Sequence, residues 1–288
     1  MTLESPVTHA TPTMPRRRLS PAARPTGSAA GLLAAQILAE VRQNLRVPSF
    51  VIGVVAVPVM LYGMFGLPEA GEILPGGTNV AAMMFASLGC FGMVSLAIFT
   101  FGVDIAQERG KGWLRRLRAT PMPMWAYFAA KCAMAVVFSA AIVVATVAVA
   151  LAGGVRFDGA RLVRTSLVLV SGALAFSTMG FALAYWTRPR AAQAIGNLVF
   201  LPLAFASGFF YTLNGLPGFL QDLAHYLPTY HFGQLVWNQL GPVADVQAFG
   251  SPAPDSMLVH LAWVIGCFVV FAIIAAAGYR RDLQRDHA

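Results

Sequence analysis

Long apolar runs without a single charged side chain alternate along the chain with short charged segments. Six of these runs are long enough for a helix to cross the hydrocarbon core of a bilayer, which takes about 20 residues. The six are residues 47–68, 73–103, 132–155, 165–187, 191–221 and 256–279. They are continuously apolar and do not alternate, which disfavours a membrane β-barrel. The pattern therefore predicts an all-α integral membrane protein with six transmembrane helices, in a domain over residues 47–279.

A different pattern precedes the first run. Apolar residues recur there at every fourth position, with polar residues between them. The apolar stripe consists of Leu33, Ile37, Val41 and Leu45. It predicts an amphipathic helix over residues 29–46 that lies in the membrane interface or against a partner or, alternatively, a soluble helix packed on its own protein. Residues 1–28 contain five prolines and few apolar side chains, which predicts a disordered cytoplasmic tail, and residues 280–288 form a second tail.

The distribution of charge agrees with a membrane topology. Only 11% of the residues are charged, whereas soluble domains have about 25%. The net charge of +8 comes from basic residues that lie between the apolar runs and not on one face, which argues against nucleic-acid binding. With the N-terminus inside, 17 of the 20 basic residues are cytoplasmic, and only Arg156, Arg161 and Arg164 lie outside. The positive-inside rule therefore predicts that both termini are cytoplasmic.

The motifs of common enzyme classes are absent from the sequence. There is no GxxxxGK[ST] loop for nucleotide phosphates, no GxSxG, no HExxH and no pair of catalytic carboxylates. Cys90, Cys132 and Cys267 occur singly in apolar surroundings, as buried cysteines do. The spacing of His225 and His231 matches no zinc motif. We therefore predict that the chain is not an enzyme and binds no cofactor or metal of its own.

The densest charged stretch, DIAQERGKGWLRRLRATPM over residues 104–122, lies between the second and third runs. Gly110 and Gly112 loosen the chain, and the residues after them predict a short helix that Thr120-Pro121 ends. Its apolar side holds Trp113, Leu114 and Leu117, and its basic side holds Lys111, Arg115 and Arg118. Glu108 is expected to be a lone carboxylate that caps this helix or pairs with a basic group of a partner. The simpler alternative is a positively charged loop that rests on anionic lipid.

The stretch ERGKGWLRRLRATPMP resembles the cytoplasmic coupling segment of type-2 ABC exporter permeases. That segment has a Glu, a Gly four residues later and a Leu-rich basic turn ending in Thr-Pro, which here are Glu108, Gly112, Leu114, Leu117, Thr120 and Pro121. Trp113 stands where the family usually has Thr or Ser. The resemblance implies that the residues coupling the chain to an ATPase are Glu108, Arg109, Gly112, Trp113, Leu114, Arg115, Arg116, Leu117, Thr120 and Pro121.

The resemblance extends over residues 29–280. Residues 29–46 match the family's connecting helix, and residues 194–237 match its fifth helix and the outer segment that follows. The apolar face of Leu216, Phe219, Leu220 and Leu223 predicts that this outer segment, over 214–240, folds partly back into the outer membrane surface or lies at the interface. The resemblance implies a permease subunit that exports a hydrophobic or amphipathic compound, such as a drug, an antibiotic or a lipid- or glycan-linked molecule. It also implies a homodimer in the bacterial cytoplasmic (inner) membrane, with ATP and Mg²⁺ bound by a separate ATPase chain. The alternative function is a polytopic membrane assembly or interaction factor without transport activity.

A transport pathway between two such chains would be apolar, because no charged residue lies in the runs. Small and aromatic residues of the second and fifth runs are the candidates to line it, although each would equally serve ordinary helix packing or contact lipid. They are Met83, Met84, Phe85, Ser87, Phe91, Phe205, Ser207, Phe209 and Phe210. The small residues of the AFASGFF stretch would let two copies of the fifth helix approach closely.

Overall fold

The computed structural model describes residues 29–120, 123–250 and 255–287. Within these ranges the chain forms helices and no strand. In chain order the main helices are α1 (Ala29–Leu45), α2 (Ile52–Gly71), α3 (Val80–Gly110), α4 (Trp113–Arg118), α5 (Met124–Ala152), α6 (Gly159–Trp186), α7 (Ala192–Ala206), α8 (Gly218–Ala224), α9 (Pro228–Leu240), α10 (Val243–Ala248) and α11 (Met257–His287). The short helix Pro48–Val51 runs directly into α2, and a single 3-10 turn, Leu213–Gly215, precedes α8. The predicted all-α fold is confirmed. The predicted N-terminal tail, residues 1–28, lies outside the described residues.

Five of the described helices are long and apolar enough to cross a membrane: α2, α3, α5, α6 and, over Met257–Gln284, α11. The fifth predicted run forms the shorter α7, of 15 residues. This helix ends early because Gly208 has a φ of +78°, in the left-handed region. The amides of Gly208 and Phe209 turn back to the carbonyls of Phe205 and Ala204, at 3.0 and 3.2 Å. This is the Schellman arrangement, which ends helices.

Helix α3 is the centre of the fold. In the most apolar 18-residue stretch of α3, 89% of the residues are buried, whereas the corresponding stretches of α2 and α11 have 22% and 17% of their residues buried. Helices α5, α6 and α9 pack around α3, and α11 packs mainly against α6 and α9. Helices α2 and α11 therefore leave most of their apolar surface open to the surroundings of the chain, as is expected of helices that face lipid or a partner.

Helices α3 and α6 cross at very close range where α3 is π-helical, over Ala97–Asp104. Gly180 of α6 lies directly against the α3 backbone, so that a Cβ at this position would meet the Ala97 carbonyl oxygen at 2.3 Å. Glycine allows this approach in a membrane because helices there associate through close packing. The crossing fixes the rotation of the C-terminal half of α3 and of the charged residues there.

Helix α1 packs against α5. Ile37 and Val41 are half-buried, whereas Leu45 at the end of the apolar stripe is 56% exposed. Glu40, which the sequence pattern puts on the polar side, is only 5% exposed. The Asn44 amide donates to Met134 Sδ of α5 at 2.8 Å. Helix α1 thus packs on its own chain through polar as well as apolar contacts.

Candidate functional site

A buried ionic cluster joins three helices, α1, α3 and α5, at the end of the fold where the charged stretch lies. Lys131 of α5 is 2% exposed, and its Nζ lies 2.6 Å from Glu108 Oε1 of α3 and 3.0 Å from Glu40 Oε2 of α1. The Tyr127 hydroxyl of α5 donates to the other oxygen of Glu108. The ammonium group thus supplies the buried positive charge for two carboxylates that would otherwise lack one.

The expectation that Glu108 is a lone carboxylate at the start of the short helix is therefore wrong. Helix α3 continues through Glu108 as far as Gly110, and this helical geometry points the carboxylate at α5. Lys131 gives a signal for this pairing in the sequence, since it is the one charged residue between Arg118 and Arg156.

A second set of contacts joins the end of α3 to α6 and α11. Arg109 donates to the carbonyl oxygens of Tyr185 and Thr187, at 3.0 and 2.6 Å. Its guanidinium also lies 3.4 Å from Asp282 Oδ1 on α11. Arg118, at the end of α4, lies 4.0 Å from the other oxygen of Asp282. Asp282 therefore contacts both ends of the charged stretch, although sequence reasoning did not single it out.

Helix α4 confirms the predicted short helix, and Gly112 precedes it with a φ of +71°. Leu114 and Leu117 are buried, with 2% and 8% of their surface exposed, and they anchor α4 to the apolar core. Trp113 is 45% exposed and does not join them. The predicted apolar side thus divides into two anchoring leucines and one tryptophan at the surface.

The surface of α4 is basic. Arg115 and Arg116 are exposed beside Trp113, and the Thr120 hydroxyl donates to the Leu117 carbonyl at 2.6 Å, at the end of the helix. Pro121, which the sequence analysis includes in the coupling segment, lies outside the described residues. We call the exposed set Trp113, Arg115 and Arg116 the α4 surface. It presents at the surface a tryptophan and arginines, the residue types that contribute most often to binding at protein interfaces.

The candidate pathway residues do not form one surface. Phe91 of α3 lies 4.8 Å from Phe210, ring centroid to ring centroid, and Phe210 stacks on Phe205 at 4.7 Å, so three of the nine candidates meet beside the end of α7. Phe205 is 46% exposed. Sequence reasoning missed Phe99 and Phe200, which extend this row, because it selected residues by type and position only.

The other candidates lie apart from this aromatic row. Phe85 faces the opposite side of α3, where its ring lies 5.5 Å from that of Phe157. Ser87 accepts a hydrogen bond from the Trp237 indole at 2.9 Å, and the hydroxyls of Ser207 and Thr229 lie 2.6 Å apart. Met83 and Phe209 are buried, and Met84 is half-buried. In the single chain these residues serve packing and hydrogen bonding.

A buried aspartate, Asp245, joins α10 to the loop between α2 and α3, at the end of the fold opposite the ionic cluster. Asp245 of α10 accepts hydrogen bonds from the backbone amides of Gly76 and Thr78 in the α2–α3 loop, the latter at 2.9 Å. Burial raises the pKa of this carboxyl, but the hydrogen bonds from Thr78 and Gly76 and the nearby Arg161 outweigh burial and hold the pKa below its usual value. The charged form of Asp245 is therefore the one that ties α10 to this loop.

Two histidines join α9 to the start of α11. The Nδ1 atoms of His231 and His260 lie 2.7 Å apart, and His231 Nε2 lies 2.9 Å from the His225 carbonyl oxygen. Burial lowers the pKa of His231, which favours the neutral ring. A carbonyl can only accept, so Nε2 of the neutral ring carries the proton and Nδ1 accepts from His260. The pair is a structural contact between the outer segment and the last membrane helix.

Comparison with known proteins agrees with the architecture. The ABC-2 type transporter family model matches residues 32–239, which include the charged stretch, α7 and most of α1 and α9. The chain is also similar to the "Putative transport permease YvfS" of Bacillus subtilis (strain 168), with 25% identity over 235 residues, or 81% of this chain and 93% of that protein. These similarities support a role as a transport permease and confirm the resemblance to type-2 ABC permeases. The chain belongs to the ABC-2 type transporter family.

Proposed function

We propose that this chain is the membrane subunit of an ABC exporter, which moves a hydrophobic or amphipathic compound outward. A separate ATPase chain, with its own ATP and Mg²⁺, would drive the movement. The observation that carries the proposal is the α4 surface: a short helix held to the core by two leucines, with a tryptophan and two arginines left exposed. A loop that only rests on lipid needs neither a buried anchor nor a fixed orientation.

The contacts around α4 suggest how a push from the ATPase would reach the membrane helices. Arg109 and Arg118 both contact Asp282, so that the charged stretch and α11 move together unless these ion pairs break. The pair between Glu108 and Lys131 connects the same stretch to α5, and Glu40 connects it to α1. Displacement of α4 would then rotate several helices as a unit, in the manner of a switch between rigid bodies.

Truncation of the α4 surface should weaken binding of the ATPase. For Trp113→Ala and Arg116→Ala we expect at least a tenfold loss of affinity each, since exposed tryptophan and arginine side chains at the centre of interfaces commonly contribute about 2 kcal/mol or more. Matched controls are Trp125→Ala and Arg188→Ala, which remove exposed side chains of the same types outside α4. The measurement is co-purification of the ATPase, and stimulated ATP hydrolysis, at equal abundance of each variant. Equal binding by variants and controls would contradict the proposal and leave the positively charged loop as the explanation.

We further propose that two copies of the chain form the transport pathway between them, with α7 at their contact. Within one chain Ala204 and Ser207 are fully buried, so these positions cannot report on the contact. The exposed side of α7, which faces away from the rest of the chain, instead carries Leu198, Leu201 and Phe205, which are 73%, 45% and 46% exposed. Single cysteines at these three positions, in a variant without native cysteines, should cross-link two chains. If cysteine at the buried Ala204 cross-links as readily as these, or if none of the three cross-links, α7 is not the contact.

We propose that both termini are cytoplasmic, because 17 of the 20 basic residues then lie inside. Reporter fusions after Gly71, Gly154 and Gly241 should report the outside of the membrane. Fusions after Arg118 and Ala288 should report the cytoplasm. A cytoplasmic signal after Gly241 would contradict the placement of α9 and α11.

A further inference from the structure

A cavity of about 580 Å³ opens near the cytoplasmic end of the fold, between α1, α2, α3 and α7. It is bordered by the ionic cluster at Glu108 and Lys131, by the start of α7 at Gln193, and by the turn that connects α1 to α2. Its volume suits a small organic molecule, since such sites measure about 300–1,000 Å³.

The lining of the cavity changes in character along its length. Phe50, Val54 and Phe99 line the part that lies deeper along the membrane helices. Gln43 and Gln107 line the part toward the coupling segment. Helices α2 and α3 both extend from this polar end toward the apolar part of the membrane. The cavity therefore matches a molecule with an apolar body in the membrane and a polar group toward the cytoplasm.

The polar end of the cavity has a surplus of negative charge. Asp104 lines it, and its carboxylate makes no hydrogen bond or ion pair with the part of the chain that the structure describes. The nearest buried cation, Lys131, already serves Glu40 and Glu108. Lys111 at the mouth is exposed. Glu40, Glu108 and Asp104 together carry one charge more than Lys131 and Lys111, and an ionisable side chain in a membrane helix commonly marks a binding site.

Asp104 also lies at the end of a π-helical segment of α3, Ala97–Asp104. A π-helical turn adds a residue to the helix and rotates all later side chains, and such turns occur frequently at functional sites. Phe99 within the same segment supplies the aromatic wall of the cavity, and aromatic faces attract cations.

We infer that this cavity binds a lipophilic cation, with Asp104 facing its positive group and Phe50 and Phe99 facing its apolar body. The inference rests on the proposed export function, in which this cavity is where a compound from the cytoplasmic leaflet first binds. Binding itself requires only the permease chain, so it can be measured without the ATPase.

Binding of the fluorescent lipophilic cation rhodamine 6G to the purified full chain in a neutral maltoside detergent tests the inference through fluorescence anisotropy. Tetraphenylphosphonium should displace rhodamine 6G, and tetraphenylborate, an anion of nearly the same size and shape, should not. Asp104→Asn should weaken binding about tenfold or more, because it leaves the bound cation without its counter-charge. Asp104→Glu should retain most of the affinity. The control Asp222→Asn removes the same charge from an exposed position on α8 and should leave binding unchanged.

Displacement by tetraphenylborate as strong as by tetraphenylphosphonium would overturn the inference, and would indicate that the lysines bind an anionic headgroup. That comparison uses the unaltered chain, so it decides the question even if Asp104→Asn does not fold. Unchanged binding by a folded Asp104→Asn would overturn it as well. If no cation binds but the ATPase still docks on the α4 surface, this inference fails and the proposed function stands. If the cation binds and no ATPase docks on the α4 surface, this inference stands and the proposed function fails.

Discussion

Replacing Lys131 with methionine should sharply reduce the amount of folded protein in the membrane. The substitution keeps the length and apolar stem of the side chain but leaves Glu40 and Glu108 without their buried cation. Removing one partner of a buried ion pair costs about 3–5 kcal/mol, which is a large part of the roughly 5–15 kcal/mol that stabilises a typical folded protein. Thermal unfolding of the purified chain and its abundance in membranes would measure the effect.

The chain supplies a matched control for this experiment, because Lys111 is its only other lysine and is exposed. Lys111→Met should leave the unfolding temperature nearly unchanged. Adding Glu40→Gln and Glu108→Gln to Lys131→Met should restore most of the stability, since it removes the unpaired charges and leaves groups that can hydrogen-bond. A Lys131→Met variant as stable as Lys111→Met would show that water or another cation reaches these carboxylates.

Gly180→Val should be the second severely destabilising substitution. A Cβ at Gly180 would lie 2.3 Å from the Ala97 carbonyl oxygen and 3.1 Å from the Gly102 amide nitrogen. These are backbone atoms, so the clash cannot be relieved by turning a side chain, and α3 and α6 must separate. Overpacking of this kind costs about 1–3 kcal/mol and occasionally more, and we expect a cost at or above the upper end of that range.

The control for Gly180→Val is Gly266→Val on α11, where an added Cβ has open space within 4 Å. Both substitutions introduce the same side chain into a membrane helix, so they differ chiefly in the space available. The unfolding temperature should fall for Gly180→Val and stay nearly constant for Gly266→Val. Equal stability of the two variants would mean that α3 and α6 adjust their separation freely.

The features that the sequence predicts correctly are local ones. The apolar runs identify the membrane helices because each helix buries or exposes apolar surface along its whole length. The short helix α4 follows from Gly112 before it and from the Leu-rich basic turn within it. The family resemblance rests on the same local pattern, and the comparison with known proteins confirms it.

The contacts that connect these helices could not be predicted from the sequence. Glu108 and Lys131 are 23 residues apart, and Arg109 and Asp282 are 173 residues apart, so no short-range pattern relates them. Whether Glu108 faces a partner or the protein depends on the rotation of α3, which the π-helical segment changes. The pathway candidates failed to form one surface for the same reason, since residues of similar type on α3 face different neighbours.

The early end of α7 shows a limit of hydropathy as a guide. Residues 191–221 are uncharged throughout, and an uncharged run sets only the maximum length of a helix. The actual end depends on the backbone conformation of Gly208, which many other glycines in the same runs do not share. The presence of a glycine in the run is therefore insufficient to predict where α7 ends.

The short α7 also has a consequence for the lipid beside it. Its 15 residues span about 22 Å at 1.5 Å per residue, which is less than the roughly 30 Å of a typical hydrocarbon core. Beyond Ser207 the backbone is irregular, and irregular backbone is tolerated at this depth only where protein covers it. Around a single copy of the chain, the bilayer next to α7 would therefore be locally thinner, and lipids with short acyl chains should be enriched there. A thick membrane would make this hydrophobic mismatch more costly, and bringing two α7 helices together would relieve it by removing the mismatched surface from lipid.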